Sequence, residues 1–389
     1  MSEAEPLGFA PGLAFGDELT MVREAQNQAE PPRGAPEPPL RVGIAGLGRS
    51  GWNIHAKSLA MLPALYRVDA VMDPEQERCA EAVAVHGCRV HPDFDALAAD
   101  PDLDVVVVAS PNHLHADHAV AALDAGKHVV CEKPFALTVE EADRAIAAAE
   151  RNGRVLTPFQ NRRYEPHFLK VCELIESGVL GRVMHIRLAW HQFTRRWDWQ
   201  TLRRFGGGLL NNNGSHLLDH ALQLLPDDAR PEVFADLQRV LSLGDTEDHV
   251  KIVLTTPDQP TIDVELSNAS IFPQDRWLVL GTRGGLRGTP DKLTWRTVDW
   301  DALPQRTLET EAAPGRTYNH DPVTWTEHAW EAPPQDPNAA RVDYDGFYRD
   351  LYRTIRHDAP LVITPESVRR LIDTLGRCGA YVPPVVAGR

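Results

Sequence analysis

An apolar run, Arg41-Val42-Gly43-Ile44-Ala45, passes directly into Gly46-Leu47-Gly48-Arg49-Ser50-Gly51. Trp52 to Leu65 then places Ile54, Leu59, Leu62 and Leu65 at helical spacing. Strand, glycine loop and helix in that order commit this stretch to the first turn of a parallel α/β sheet. The three glycines have separate tasks. Gly46 permits the tight turn, Gly48 lets the backbone approach a pyrophosphate, and Gly51 lets helix and strand pack closely. Unpaired N–H groups and the dipole at the helix start favour phosphate. The whole loop, from Gly46 through Leu47, Gly48, Arg49 and Ser50 to Gly51, is therefore expected to hold a dinucleotide.

The next strand, Val68-Asp69-Ala70-Val71-Met72, ends at Asp73. An acid about 20 residues past such a loop accepts hydrogen bonds from the adenosine ribose and repels a 2′-phosphate, so NAD is expected over NADP. Arg78, slightly further on, pulls that preference back towards NADP. Leu103 to Ala109 is nearly all apolar, as in a strand buried on both faces, and it runs into Ser110-Pro111-Asn112-His113-Leu114-His115. A helix from Ala116 to Ala125 stops at Gly126. The strand Lys127-His128-Val129-Val130-Cys131 then carries Glu132-Lys133-Pro134 at its carboxyl end. Ligands of open α/β sheets bind beyond the carboxyl ends of the strands, so Asp73, the Ser110 loop and Lys133 converge on one crevice. Ser110, Pro111 and Asn112 are expected along the cofactor, and His115 against the nicotinamide ribose or the substrate. Glu132 is expected to accept a hydrogen bond near the cofactor or to hold Lys133. Pro134 reads as a cis proline that aims Lys133, a cation placed to handle the proton that accompanies hydride transfer.

These motifs, with Gly126-Lys127-His128-Val129, Gly206-Gly207-Gly208 through Gly214-x-His216, Phe347-Tyr348-x-x-Leu351-Tyr352 and Thr364-Pro365-Glu366, resemble the Gfo/Idh/MocA family of NAD(P)-dependent sugar and cyclitol dehydrogenases. The resemblance runs from about Arg41 to the C-terminus. It implies an α/β fold: an N-terminal Rossmann dinucleotide-binding domain and a C-terminal α+β domain with a large, mainly antiparallel sheet. It also implies a sugar or cyclitol substrate, and a homodimer or homotetramer assembled through that sheet. In the matching segment the family places an Asp and a His four residues apart on one helical face. Here His216 stands at the histidine position, but the Asp position is Asn212. Asn cannot take a proton, so Lys133 and His216 are assigned the acid/base work and Asn212 a substrate-positioning role. Arg162 and Tyr164, at the start of the helix Tyr164 to Ser177, and Trp199, in the cluster Arg195-Arg196-Trp197-Asp198-Trp199, are expected against substrate. Two other readings stay open: an NAD-dependent glycosidase of the same superfamily, which oxidises its sugar only transiently, and a non-catalytic dinucleotide sensor.

The Rossmann part is expected over residues 40–160 and the substrate and oligomerisation part over 161–389, with the C-terminal helices packing back on the first. Strands are expected at Arg182–Gln192, Pro231–Leu241, His249–Thr255, Thr261–Ser267 and Arg276–Gly281, and helices at Tyr344–Arg356 and Pro365–Gly379. Residues 1–39, rich in proline towards their end, read as an extension that is disordered or wraps over a neighbouring subunit. They carry no secretory pattern. Ala312 to Asn338 reads as an inserted loop packed down by Trp325 and Trp330. A length of 389 residues accommodates two domains. The net charge of −15 speaks against nucleic acid or anionic membrane partners. No apolar run is long enough for a membrane span. The five scattered cysteines fit a reducing cytoplasm and form no metal-binding pair. His113 and His118 read as loop and helix-surface residues, and no metal site is expected.

Overall fold

The computed structural model describes residues 37–311, 317–333 and 344–379. Residues 1–36 of the N-terminal extension and part of the proline-rich stretch lie outside them. Six strands form the first sheet: β1 (Leu40–Ala45), β2 (Tyr66–Met72), β3 (Arg89–Val90), β4 (Val105–Val108), β5 (His128–Cys131) and β6 (Leu156–Pro158). All pair in parallel, in the order β3-β2-β1-β4-β5-β6. This is the doubly wound Rossmann arrangement, with its topological switch point between β1 and β4. The four valines of β4 are fully buried because helices cover both faces of the sheet.

The expected helix after the glycine loop is shorter than its apolar spacing suggested. A π-helical turn, Gly51–Ala56, leads into an α-helix, Lys57–Met61. Leu62 leaves helical geometry at φ −120° and ψ 52° because it precedes Pro63, whose ring disfavours the α conformation in the residue before it. The helix Val139–Asn152 is bounded as its sequence demands. Thr138 accepts from the Glu141 N–H, Gly153 closes it in the left-handed conformation, and Ala142, Ala145 and Ala148 form the buried face.

Eight strands form the second sheet: β7 (Val183–His191), β8 (Glu232–Gln238), β9 (His249–Thr255), β10 (Thr261–Ser267), β11 (Trp277–Gly281), β12 (Gly284–Gly288), β13 (Lys292–Thr297) and β14 (Thr326–Glu331). Their order is β14-β13-β12-β11-β7-β10-β9-β8. β7 and β10 run parallel; the other neighbouring pairs run antiparallel. One face is apolar, with Ile186, Leu188, Ile252, Val264 and Trp277 buried under the helices Pro166–Glu176 and Ser215–Gln223. The other carries Arg187, Lys251, Asp263 and Glu265, and Lys251 pairs with both acids at 2.7–2.9 Å. The described part of Ala312 to Asn338 corrects the loop reading: Thr326–Glu331 is the edge strand. Trp330 packs against the core, but Trp325 stays 56% exposed with Arg296 stacked 4.9 Å from its ring.

The helices Tyr344–His357 and Pro365–Arg377 return to the first sheet and join the two halves. Tyr348 reaches His55 at 2.7 Å, Thr157 donates to the Ile363 carbonyl at 3.0 Å, and Arg369 pairs with Asp143. No described helix is long and apolar enough to cross a membrane.

Candidate active site

The switch point puts the glycine loop against the end of β4, and the space around each glycine separates their tasks. Gly46 has φ +95°, and a side chain there would meet the Ala109 carbonyl at 2.5 Å. A Cβ on Gly51 would lie 1.8 Å from the Gly46 carbonyl oxygen. A Cβ on Gly48 would meet nothing within 4 Å, because it would point into open space in front of the loop. Leu47, Gly48, Arg49, Trp52, Asn53, Arg78 and Glu81 line a cavity of about 360 Å³ there. A tight turn, a close helix–strand contact and an open glycine beside two arginines fit a pyrophosphate.

Asp73 sits at the carboxyl end of β2. One carboxylate oxygen accepts from the Leu47 N–H at 2.6 Å; the other accepts from the Glu75 N–H at 2.9 Å and faces Arg78 at 3.4 Å. The carboxylate thus fastens the glycine loop from beneath, and Arg78, about half exposed, stands at the same rim.

Lys133 is presented at the end of β5, and the Lys133–Pro134 peptide is cis as expected. Its ammonium donates to the Asn212 backbone carbonyl and to Asn212 Oδ1, both at 2.9 Å. Behind it runs a buried chain of hydrogen bonds. Glu132 Oε2 accepts from the Lys133 N–H at 3.0 Å, Glu132 Oε1 lies 3.1 Å from His55 Nε2, and His55 Nδ1 lies 2.7 Å from the Tyr348 hydroxyl. Of the two expectations for Glu132, the geometry supports holding Lys133: its carboxylate points into the core, away from the crevice. Contact with His55 and the nearby Lys133 charge hold the Glu132 carboxyl down at about 2, against its burial. Burial lowers the Lys133 ammonium to about 8; Glu132 opposes the shift, and Arg162, Arg49 and Arg196 reinforce it by repulsion.

Asn212 belongs to a π-helical turn, Leu210–Gly214, that widens the start of the helix Ser215–Gln223. Such turns are frequent at functional sites. His216, one turn on, is 7% exposed, and its buried Nδ1 has no hydrogen-bond partner among the described residues. Burial, with repulsion from Lys133, Arg162, His220 and Arg276, pushes its pKa well below the usual histidine value, so the ring is neutral at pH 7. A buried, unpaired polar group costs about 1–3 kcal/mol, which a ligand hydroxyl would relieve.

The description "oxidoreductase family, NAD-binding Rossmann fold" matches residues 40–160, and the GFO/IDH/MocA C-terminal domain matches residues 168–287. An uncharacterized oxidoreductase of Schizosaccharomyces pombe is 32% identical over 64% of this chain and 70% of its own length. The chain belongs to the GFO/IDH/MocA oxidoreductase family. It is also similar to the scyllo-inositol 2-dehydrogenase (NADP(+)) of Bacillus subtilis, 26% identical over 86% of this chain and 92% of that one. An oxidoreductase structure from Bacillus cereus superposes with a TM-score of 0.71 at 22% identity, covering 89% of this chain and 98% of that one, a likeness of fold. The first sheet of this GFO/IDH/MocA chain is therefore an NAD-binding Rossmann domain.

Several residues expected in the crevice of this family member have other positions. Tyr164 is a correction: it is 1% exposed, and its hydroxyl donates to Asp350 at 2.7 Å under Phe347. The α-helix begins only at Pro166, and Tyr164 closes a short 3₁₀ turn, Asn161–Tyr164, that sets it in the core. His115 is a second correction. It is 1% exposed, with its ring nitrogens each 2.7 Å from the carbonyls of Pro134 and Ser110, so it clamps two loops under the crevice. The Asn112 amide is engaged as well, donating to the Gly206 carbonyl at 2.9 Å and tying the loop after Pro111 to the second half of the chain. The Ser110 hydroxyl lies 3.0 Å from His118, which stacks on Phe94 and is more buried than a helix-surface residue. Trp199 is 40% exposed, edge-on to Phe205. Arg162 pairs with Glu165 and stacks 4.7 Å from the Trp190 ring. Sequence reasoning missed Arg276, whose guanidinium lies 4.2 Å from that same ring. Only the fold of β7 beside β11 brings it there.

Proposed function

We propose that this protein transfers a hydride between NAD and the CH–OH carbon of a sugar, cyclitol or related polyol, with Lys133 as the group that takes and returns the hydroxyl proton. The observation that carries this reading is the Lys133 ammonium held 2.9 Å from Asn212 Oδ1 at the mouth of the cofactor crevice. A pKa near 8 suits a group that must both accept and donate a proton near neutral pH. When bound, the nicotinamide ring accepts or returns the hydride.

In the oxidising direction the substrate O–H proton passes to the neutral Lys133 amine, the C–H hydrogen leaves with its electron pair, and a carbonyl forms. Asn212 Oδ1 keeps the lysine aimed by accepting a hydrogen bond, without adding a charge that would raise its pKa. Neutral His216 orients the hydroxyl through a ring nitrogen that otherwise lacks a partner. Arg162 and Trp199 bound the substrate side. The inositol dehydrogenase relative supports a cyclitol or sugar substrate, and the half-exposed Arg78 supports some use of NADP. The polar outer face of the second sheet is proposed as the surface of a homodimer or homotetramer.

The test is a panel of sugars and cyclitols offered to the purified protein with NAD and with NADP, followed by absorbance of reduced cofactor. Reduced cofactor is expected with at least one compound. Glycoside cleavage without net reduction would replace this reading with a transiently oxidising glycosidase. Tight NAD binding with no turnover of any kind would leave a dinucleotide sensor.

A further inference from the structure

The Lys133 crevice carries more positive charge than a neutral polyol requires. Arg162 and Arg276 share the ring of Trp190, at 4.7 and 4.2 Å from its centre. Glu165 is the carboxylate beside them. Oε1 pairs with Arg162, and Oε2 lies 3.0 Å from His167 Nε2. The Trp277 indole N–H donates to His167 Nδ1 at 3.0 Å. That leaves Arg276. Its guanidinium, partly buried against Trp190, has no hydrogen bond or ion pair to an acceptor among the described residues. A cation–π contact offsets only part of the cost of desolvating a guanidinium.

The lysine offers no relief. Glu132 balances Lys133 from behind, and Asn212 stands uncharged at the position where the family resemblance implies a carboxylate. Two guanidiniums and one carboxylate around Trp190 leave a surplus of one positive charge on the wall facing His216.

We propose that the substrate carries a carboxylate that seats against Arg276 and Arg162 over the Trp190 ring, while its neighbouring hydroxyl-bearing carbon lies at Lys133 and His216. This deepens the dehydrogenase reading and rests on it. The surplus of one charge matches a monoanionic carboxylate better than a dianionic phosphate ester, and the flat guanidinium fork suits carboxylate geometry. Repulsion from Arg276 is among the influences that keep His216 neutral, and a carboxylate seated there would lessen it.

The experiment uses matched pairs that differ only at the acid: a uronic acid against its parent aldose, and a carboxylated cyclitol against the neutral cyclitol. The aldose 6-phosphate serves as a third arm. Each is measured for turnover with NAD and, separately, for binding to the NAD-loaded protein by calorimetry. The acid is expected to exceed its neutral partner by roughly ten-fold or more in kcat/KM, and by a similar factor in affinity. Arg276→Leu should raise KM for the acid by roughly ten- to a hundred-fold without changing NAD affinity, and Arg276→Lys should recover part of the loss. Equal or better use of the neutral partner, or preference for the phosphate, overturns the proposal. If nothing is oxidised, the dehydrogenase reading fails, and calorimetry still decides this one: tighter binding of the acid, lost in Arg276→Leu, supports it, and equal binding refutes it.

Discussion

Replacing Asn212 by Asp tests how the lysine is tuned. Asn212 Oδ1 accepts a hydrogen bond from Lys133 Nζ at 2.9 Å, and Asn212→Asp would put a full negative charge at that contact without changing its size. For unit charges about 4 Å apart at an effective dielectric constant near 20, the attraction is about 4 kcal/mol. At about 1.4 kcal/mol per pKa unit this corresponds to about 3 units, the upper end of the roughly 1–3 units seen for opposite charges in proteins. The Lys133 ammonium would move from about 8 to roughly 9–11. The sign follows from the role: in alcohol oxidation the neutral amine accepts the proton, so kcat/KM rises with pH through the lysine pKa and a raised pKa delays that rise. The wild-type limb is therefore expected near pH 8, and the variant limb roughly 1–3 units higher. At pH 8 the variant retains about a fifth of the wild-type rate at the smaller shift and far less at the larger one. Carbonyl reduction, which uses the ammonium, should gain on its alkaline side by the same displacement. The assay is initial-rate formation of reduced cofactor across pH with the best substrate of the panel. An unmoved limb, or a variant faster than wild type at pH 8, would refute the lysine as the titrating base.

Other outcomes follow from the cofactor side. Gly48→Val projects into the open cavity, so it should weaken NAD binding by about ten-fold or more, about 1.4 kcal/mol, and leave the urea midpoint nearly unchanged. Gly51→Ala drives a methyl into the Gly46 carbonyl and should cost about 1–3 kcal/mol of folding stability, read from the same denaturation curves. Arg78→Ala removes the rim cation beside Asp73 and should raise KM for NADP severalfold more than KM for NAD; equal effects would exclude Arg78 from reading the 2′ position.

Much of the first half was legible because its signals are local. The glycine loop, the acid ending β2, the all-valine β4 and the lysine after β5 each lie at a strand end, and a doubly wound sheet brings such ends together. The Asn212 departure was visible by position, and its contact with Lys133 gives that departure a physical content. Where the reading failed, orientation decided. Tyr164 and His115 stand beside crevice residues in sequence, yet a 3₁₀ turn and a pair of carbonyl acceptors direct them into the core. Strands β12 and β13 hide behind Gly284, Gly285 and Gly288, which break the apolar alternation. The edge strand Thr326–Glu331 is masked by a proline-rich surround. Arg276 carried no signal at all: its importance arises only from sharing Trp190 with Arg162.

The central claim is that Lys133 handles the proton at a functioning NAD site, and one comparison tests it most directly. NAD affinity and single-turnover formation of reduced cofactor are measured side by side for the wild type and Lys133→Ala. The account predicts unchanged NAD affinity with a hydride-transfer rate lowered about 10²–10⁴-fold. A variant that binds NAD and transfers hydride at the wild-type rate would contradict it.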